Sequence, residues 1–98
     1  MAVGKIRWSP RAISNLEGIY NYIAKDSAQY AAIFVRRIIS IIRSIPEYPR
    51  AGRKVPEYDN EELREKIFSN YRIVYRLKGD FVEIVSICHS AKPLDDLF

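Results

Sequence analysis

Apolar positions recur along this chain with two different periods. Lys5-Ile6-Arg7-Trp8 alternates and reads as a short strand. Ser9-Pro10 ends it and opens a helix, with serine as capping acceptor and proline where no backbone N–H is needed. Ile13, Leu16, Ile19, Tyr20 and Ile23 then follow at helical spacing, giving one apolar stripe. Asp26-Ser27 interrupts the run and offers a second cap. Phe34, Ile38, Ile41, Ile42 and Ile45 form the second stripe, which Pro46 and Pro49 terminate. So short a connection predicts an antiparallel helix hairpin. The two stripes need a third surface to bury against.

The second half of the chain supplies that surface. Residues 50–62 are polar and read as a loop, with a short extended piece at Arg53-Lys54-Val55. Leu63 to Phe68 reads as a strand, Ser69-Asn70 as a turn, and Tyr71 to Leu77 as an alternating strand. Gly79-Asp80 is a tight turn into a last strand, Phe81 to His89. The expected fold class is α+β. An N-terminal strand and an antiparallel two-helix hairpin pack on one face of a small, mainly antiparallel β-sheet, in one domain over residues 1–98.

The last hairpin permits a register argument. With a two-residue loop at Gly79-Asp80, Leu77 faces Val82, Tyr75 faces Ile84, Ile73 faces Ser86 and Tyr71 faces Cys88. That mostly apolar set suits the helices. The opposite face then carries Arg76 with Glu83, Val74 with Val85, Arg72 with Ile87, and Asn70 with His89. The opposite charges of Arg76 and Glu83 favour this register. On this reading Arg72 and His89 share the face away from the helices, and Lys92 can fold back toward them. Arg53, Lys54 and Arg64 come from neighbouring segments. Residues 64–98 are thus the expected working surface.

Composition narrows the classes. Ninety-eight residues with 48% hydrophobic content make one modest core and leave little room for a deep private pocket. Sixteen Lys and Arg against twelve Asp and Glu give a net charge of +4, which suits solubility alone or an anionic partner such as nucleic acid or an acidic protein. Arg36, Arg37 and Arg43 lie off the second stripe and fit a solvated helix face. Cys88 is the only cysteine, which excludes an intramolecular disulfide. No apolar run approaches the roughly 20 residues of a membrane span, and residues 1–8 lack the apolar core of a signal peptide. No membrane partner and a cytoplasmic location are expected.

Two chemistries fit the basic face. Arginine forks and lysine ammonium groups bind phosphates, and nearby aromatic rings stack bases. With a group poised for proton transfer, such a surface cleaves RNA: the 2′-hydroxyl attacks the adjacent phosphate while cations hold the developing charge. His89, the only histidine, is the natural titrating group near neutral pH, or else it simply ends a strand. Cys88 and His89 are adjacent on a strand, point to opposite faces, and make poor joint partners for nucleophilic catalysis or a metal. No metal-ligand, dinucleotide or phosphate-loop motif is present, so no metal and no cofactor are expected. Tyr48, Tyr58, Tyr71 and Tyr75 read as packing residues.

Five segments in order resemble the RelE/ParE superfamily, the toxins of type II toxin–antitoxin pairs. They are Trp8-Ser9-Pro10-Arg11-Ala12, Tyr48-Pro49-Arg50-Ala51-Gly52-Arg53, Leu63-Arg64-Glu65, Tyr71-Arg72-Ile73-Val74-Tyr75, and His89-Ser90-Ala91-Lys92-Pro93-Leu94. The resemblance spans nearly the whole chain. It implies one of two activities: RelE-like cleavage of mRNA in the ribosome, or ParE-like poisoning of DNA gyrase without catalytic residues. It also implies a cognate antitoxin, in a toxin–antitoxin hetero-oligomer.

In RelE-like nucleases the arginine matched by Arg72 contacts the scissile phosphate, and a basic residue at about Lys92 assists. The tyrosine often used near the C-terminus is Phe98 here, and the loop before Leu63 is acidic (Glu57, Asp59, Glu61, Glu62). Both departures bring the chain closer to the ParE-like branch. The expectation is a gyrase inhibitor. A RelE-like endonuclease using Arg72, His89 and Lys92 is the alternative, and a non-toxic binding module of the same fold the third. Arg53, Lys54, Arg64, Arg72 and Lys92 are the candidates for gripping the target or a phosphate.

Overall fold

The computed structural model describes residues 5–94 and 97. Strand β1 (Lys5–Trp8) leads into helix α1 (Pro10–Ala24), then helix α2 (Ala28–Ser44) and a short 3-10 turn (Ile45–Glu47). Strands β2 (Arg53–Lys54), β3 (Leu63–Phe68), β4 (Tyr71–Lys78) and β5 (Phe81–His89) follow. They form a five-stranded sheet ordered β1-β5-β4-β3-β2. β1 runs parallel to β5, and the other three pairs are antiparallel.

Local chemistry sets the helix boundaries as the sequence predicts. Ser9 Oγ accepts from the Ala12 N–H at 3.0 Å, and Ser27 Oγ from the Tyr30 N–H at 3.0 Å, each meeting an orphan donor of a first turn. Ser9 also locks the helix to the sheet. Its N–H donates to Ile84 O at 2.9 Å and its hydroxyl to Val85 O at 2.8 Å.

The helices pack on one sheet face. Ile38, Ile42 and Ile45 from the second stripe meet Ile73, Tyr75, Val82, Ile84 and Ile87 in the main core. Full burial of each such side chain contributes about 1.5–3 kcal/mol. The first stripe is shifted from expectation. Ala12 and Ile19 are buried, whereas Ile13 and Tyr20 remain 47% and 37% exposed. They lie on the flank of α1 turned away from the sheet.

The far sheet face is not open. Val55, Leu63, Val74, Val85, Leu94 and Leu97 form a second core there, joined by Tyr58. The loop after β2 and the C-terminal tail lie over that face. Tyr58 accepts from the Leu97 N–H at 3.2 Å, and Arg11 of α1 donates to Leu97 O at 3.4 Å, which clips the tail down. Tyr58 and Tyr75 pack as expected, while Tyr48 is exposed.

The predicted hairpin register holds for four pairs and then slips. Lys78 with Phe81, Leu77 with Val82, Arg76 with Glu83 and Tyr75 with Ile84 pair as expected. A bulge then inserts Val85, so Val74 pairs with Ser86, Ile73 with Ile87, Arg72 with Cys88 and Tyr71 with His89. The bulge sits where β1 ends opposite Ile84. Beyond it, Asn15 of α1 replaces the missing strand. Its Oδ1 accepts from the Ile87 N–H at 3.0 Å and from Ser86 Oγ at 3.1 Å.

Candidate functional site

The bulge decides which side chains meet. Arg72 stays on the far face, now beside Cys88, while His89 turns to the helix face against Tyr71, ring centroids 5.8 Å apart. The expectation that Arg72 and His89 share a face is therefore corrected: they lie on opposite faces, because the extra residue reverses the alternation beyond Val85. His89 Nδ1 accepts from the Ala91 N–H at 3.3 Å, which leaves a neutral ring its proton on Nε2.

Arg72 is an enclosed strut. Its side chain is 5% exposed and makes three charge-assisted hydrogen bonds. Nη1 and Nη2 fork onto the two carboxylate oxygens of Glu57 at 2.8 and 2.7 Å, and Nε donates to Glu65 Oε1 at 2.7 Å. The carboxylate of Glu65 is fully buried, and its second oxygen receives Arg53 Nε. A chain Arg53–Glu65–Arg72–Glu57 thus runs from β2 across β3 and β4 to the loop. The fork holds the Glu57 carboxyl at about 2, and the two carboxylates raise the pKa of the guanidinium further.

The expected basic surface is neutralised in place. Lys54 lies 3.4 Å from Asp59 and 3.7 Å from Glu61. Arg64 meets Glu61 at 2.9 Å and donates to Gly52 O at 3.3 Å. Arg50 meets Glu62 at 2.9 Å, and Arg76 meets Glu83 at 2.9 Å as the register argument required. Of the candidates, Arg53, Lys54, Arg64 and Arg72 all carry carboxylate partners. Lys92 alone is exposed and makes no ion pair among the described residues.

Lys92 lines a cleft of about 350 Å³ with Arg11, Asn15, Ser86, Cys88 and Leu97. Burial pushes the Cys88 thiol up, against the opposing pull of Arg72 and Lys92, so it is a weak nucleophile. Among the described residues no three of His, Cys, Asp and Glu gather as a metal site. Phe98, whose missing hydroxyl bears on the nuclease reading, lies outside the described residues.

Sequence reasoning missed Glu57 and Glu65 as Arg72's partners. The signal for Glu65 was present: alternation from buried Leu63 puts it on the far face, where a carboxylate needs a cation. Glu57 gave no comparable signal, since it belongs to no periodic element.

Comparison with known proteins places this arrangement in a family. The profile of the ParE toxin of the type II toxin–antitoxin system parDE matches residues 6–94. Y4kP of Sinorhizobium fredii is 36% identical over 92% of this chain and 92% of its own length. Toxin RelE2 of Caulobacter vibrioides is 31% identical over 92% of this chain and 99% of its own. A chain of the chromosomal ParDE TA system from P. aeruginosa shares the fold with a TM-score of 0.74 at 19% identity, covering 89% of this chain and 96% of that one. A chain of the toxin–antitoxin complex RelBE2 from Mycobacterium tuberculosis aligns with a TM-score of 0.63 at 15% identity, covering 91% and 99%. With a family match over nearly its whole length and two relatives above thirty per cent identity, the chain belongs to the ParE toxin family of type II toxin–antitoxin systems.

Proposed function

We propose that this toxin acts in the ParE-like manner, arresting growth by gripping DNA gyrase and trapping its cleaved-DNA complex, and that a cognate antitoxin neutralises it. The target is held by surface contacts, with no proton transfer by the toxin. The observation that carries this reading is the state of Arg72. A phosphate-binding arginine must present its fork to the ligand. Here both terminal nitrogens are taken by Glu57, and the face is roofed by the loop and tail. His89, the only histidine of the chain, faces the other way.

The test is a supercoiling assay with purified gyrase and the folded toxin in excess. Inhibition with accumulation of cleaved DNA is expected. Full supercoiling activity would overturn the reading. The RelE-like alternative draws support from the likeness to Toxin RelE2 and from the exposed Lys92. It predicts new mRNA cuts in a translating extract, lost in Lys92→Ala.

A further inference from the structure

Ile6 and Trp8 of β1 pack against the main core, so alternation turns Lys5 and Arg7 to the far face of the sheet. Leu77 and Val82 belong to the same core, which sends Arg76 and Lys78 of β4, and Phe81 and Glu83 of β5, to that far face as well. The register sets Lys5, Phe81 and Lys78 in one row across β1, β5 and β4, and Arg7, Glu83 and Arg76 in the next. Arg7 thus stands opposite Glu83, yet the two form no ion pair. Glu83 accepts from Nε and Nη2 of Arg76 instead, at 3.2 and 2.9 Å. The Arg7 guanidinium lies over the Phe81 ring, its carbon 4.3 Å from the centroid.

A guanidinium stacked on a ring is held in place while its in-plane N–H donors stay available. Arg7 is in this respect the reverse of Arg72, whose fork is filled by Glu57. Lys5, Arg7 and Lys78 are exposed, and none makes an ion pair among the described residues. The roof over the far face stops short of them, since its core includes no residue of the hairpin tip from Lys78 to Phe81. Lys5, Arg7, Arg76 and Lys78 face only Asp80 and Glu83 here, so the patch is cationic. Neighbouring strands lie about 4.8 Å apart, which makes the row from Lys5 to Lys78 about 10 Å wide. A duplex strand carries one phosphate per about 3.4 Å of axis, so the row spans about three of them. The Phe81 ring is occupied by Arg7, which favours contact with a backbone over stacking of unpaired bases.

We propose that Lys5, Arg7 and Lys78, grouped around Phe81 at the hairpin end of the far sheet face, bind the phosphate backbone of a nucleic-acid duplex without sequence preference. Phe81 is a positioning residue that aims the Arg7 fork. The site is separate from the Glu57–Arg72 network, because Lys78 and Arg72 are six positions apart on β4, about 20 Å of strand. It does not rest on the gyrase reading, since its ligand is the bare duplex.

The probe is a fluorescein-labelled duplex of mixed sequence, as DNA in one arm and RNA in the other, titrated with the full chain and read by anisotropy. Three phosphate contacts predict a log–log salt slope of about −2.7, or about a fortyfold loss of affinity from 50 to 200 mM salt. Lys5→Gln, Arg7→Gln and Lys78→Gln should each flatten the slope by about one. Phe81→Leu should weaken binding in the wild-type background and have no effect in Arg7→Gln, a coupling that a purely structural role would not produce. The control variant Arg36→Gln, Arg37→Gln, Arg43→Gln removes as much charge from α2 and should retain binding. Equal affinity for both duplexes marks a contact to phosphate alone, and binding of one identifies the source. No binding at low salt, equal loss in the control variant, tighter binding of the single strands, or stronger capture by phosphatidylserine vesicles would overturn the proposal. The Tm of each variant is measured alongside. The two lysine variants remove no hydrogen bond or ion pair among the described residues, so they keep the test decisive should the others lose stability.

Discussion

The carboxylate of Glu57 and the guanidinium of Arg72 meet through two parallel hydrogen bonds of 2.7 and 2.8 Å, although 15 residues separate them in the chain. The pair fastens the loop after β2 to the centre of β4. Glu57→Ala is expected to cost about 1–3 kcal/mol in urea unfolding, because Arg72 keeps Glu65 but loses its fork. Arg72→Ala is expected to cost more, about 3–5 kcal/mol, because Glu65 is left buried with Arg53 alone. A loss below that of Glu57→Ala would contradict the network. Arg72→Ala is therefore a poor probe of activity unless its folding is measured alongside, and Lys92→Ala is the cleaner one.

Acid should release the same pair. Its folded carboxyl is held at about 2, below an ordinary value of 4.5. A depressed folded pKa gives stabilisation that is complete above the unfolded value and is lost as pH falls through the folded one. The Glu57–Arg72 contribution should thus be whole at pH 7, decline below about pH 4.5, and be largely gone near pH 2. Wild type and Glu57→Gln should differ in Tm at pH 7 and converge on acidification. Parallel Tm curves over that range would argue against the fork as the source of the shift.

Gly52 is sterically required. A methyl group there would lie 2.3 Å from the Tyr75 hydroxyl and 2.8 Å from the Glu65 carbonyl oxygen. The close approach exists because Tyr75 donates to Pro49 O at 2.7 Å and accepts from the Gly52 N–H at 3.1 Å. Gly52→Ala should destabilise by about 1–3 kcal/mol, as overpacking does. Tyr75→Phe alone should cost about 1–2 kcal/mol through the lost hydrogen bonds. In the double variant the alanine should cost less than in wild type, since one clashing atom is gone. Strict additivity in chemical denaturation would refute the contact.

Ser69 sits at φ +53 in the turn between β3 and β4, a conformation that side chains resist. Ser69→Gly should raise stability by about 0.5 kcal/mol, the relieved strain exceeding the added freedom of the unfolded chain. An unchanged or lower Tm would mean that the serine is not strained there.

The helices, their caps and the strand order along the chain were legible because each follows from local spacing. Ser9 and Ser27 cap as their positions demand, and the second apolar stripe supplies Phe34, Ile38, Ile42 and Ile45 to the core, beside Ile19, Leu16 and Ile23 of the first. What escaped was non-local. The bulge at Val85 depends on where β1 stops and on Asn15, 72 residues from Ile87, arriving to satisfy its N–H. The cover on the far face depends on Leu94 and Leu97 returning from the tail, and neither lies in a periodic run. The charge count was right and the open basic face was wrong, because the acidic residues of the loop were placed over the cations.

That one extra residue in β5 works as a selector of chemistry. Were the bulge absent, with Val85 kept and paired to Val74, strict alternation would run on beyond Ile84, bringing Cys88 opposite Tyr71 and His89 opposite Asn70, and so turning the imidazole of His89 to the side of the guanidinium and withdrawing the thiol of Cys88. A proton-transfer group would then share a face with an anion-binding one. One bulge in one strand therefore separates two surface compositions on the same scaffold without changing a helix.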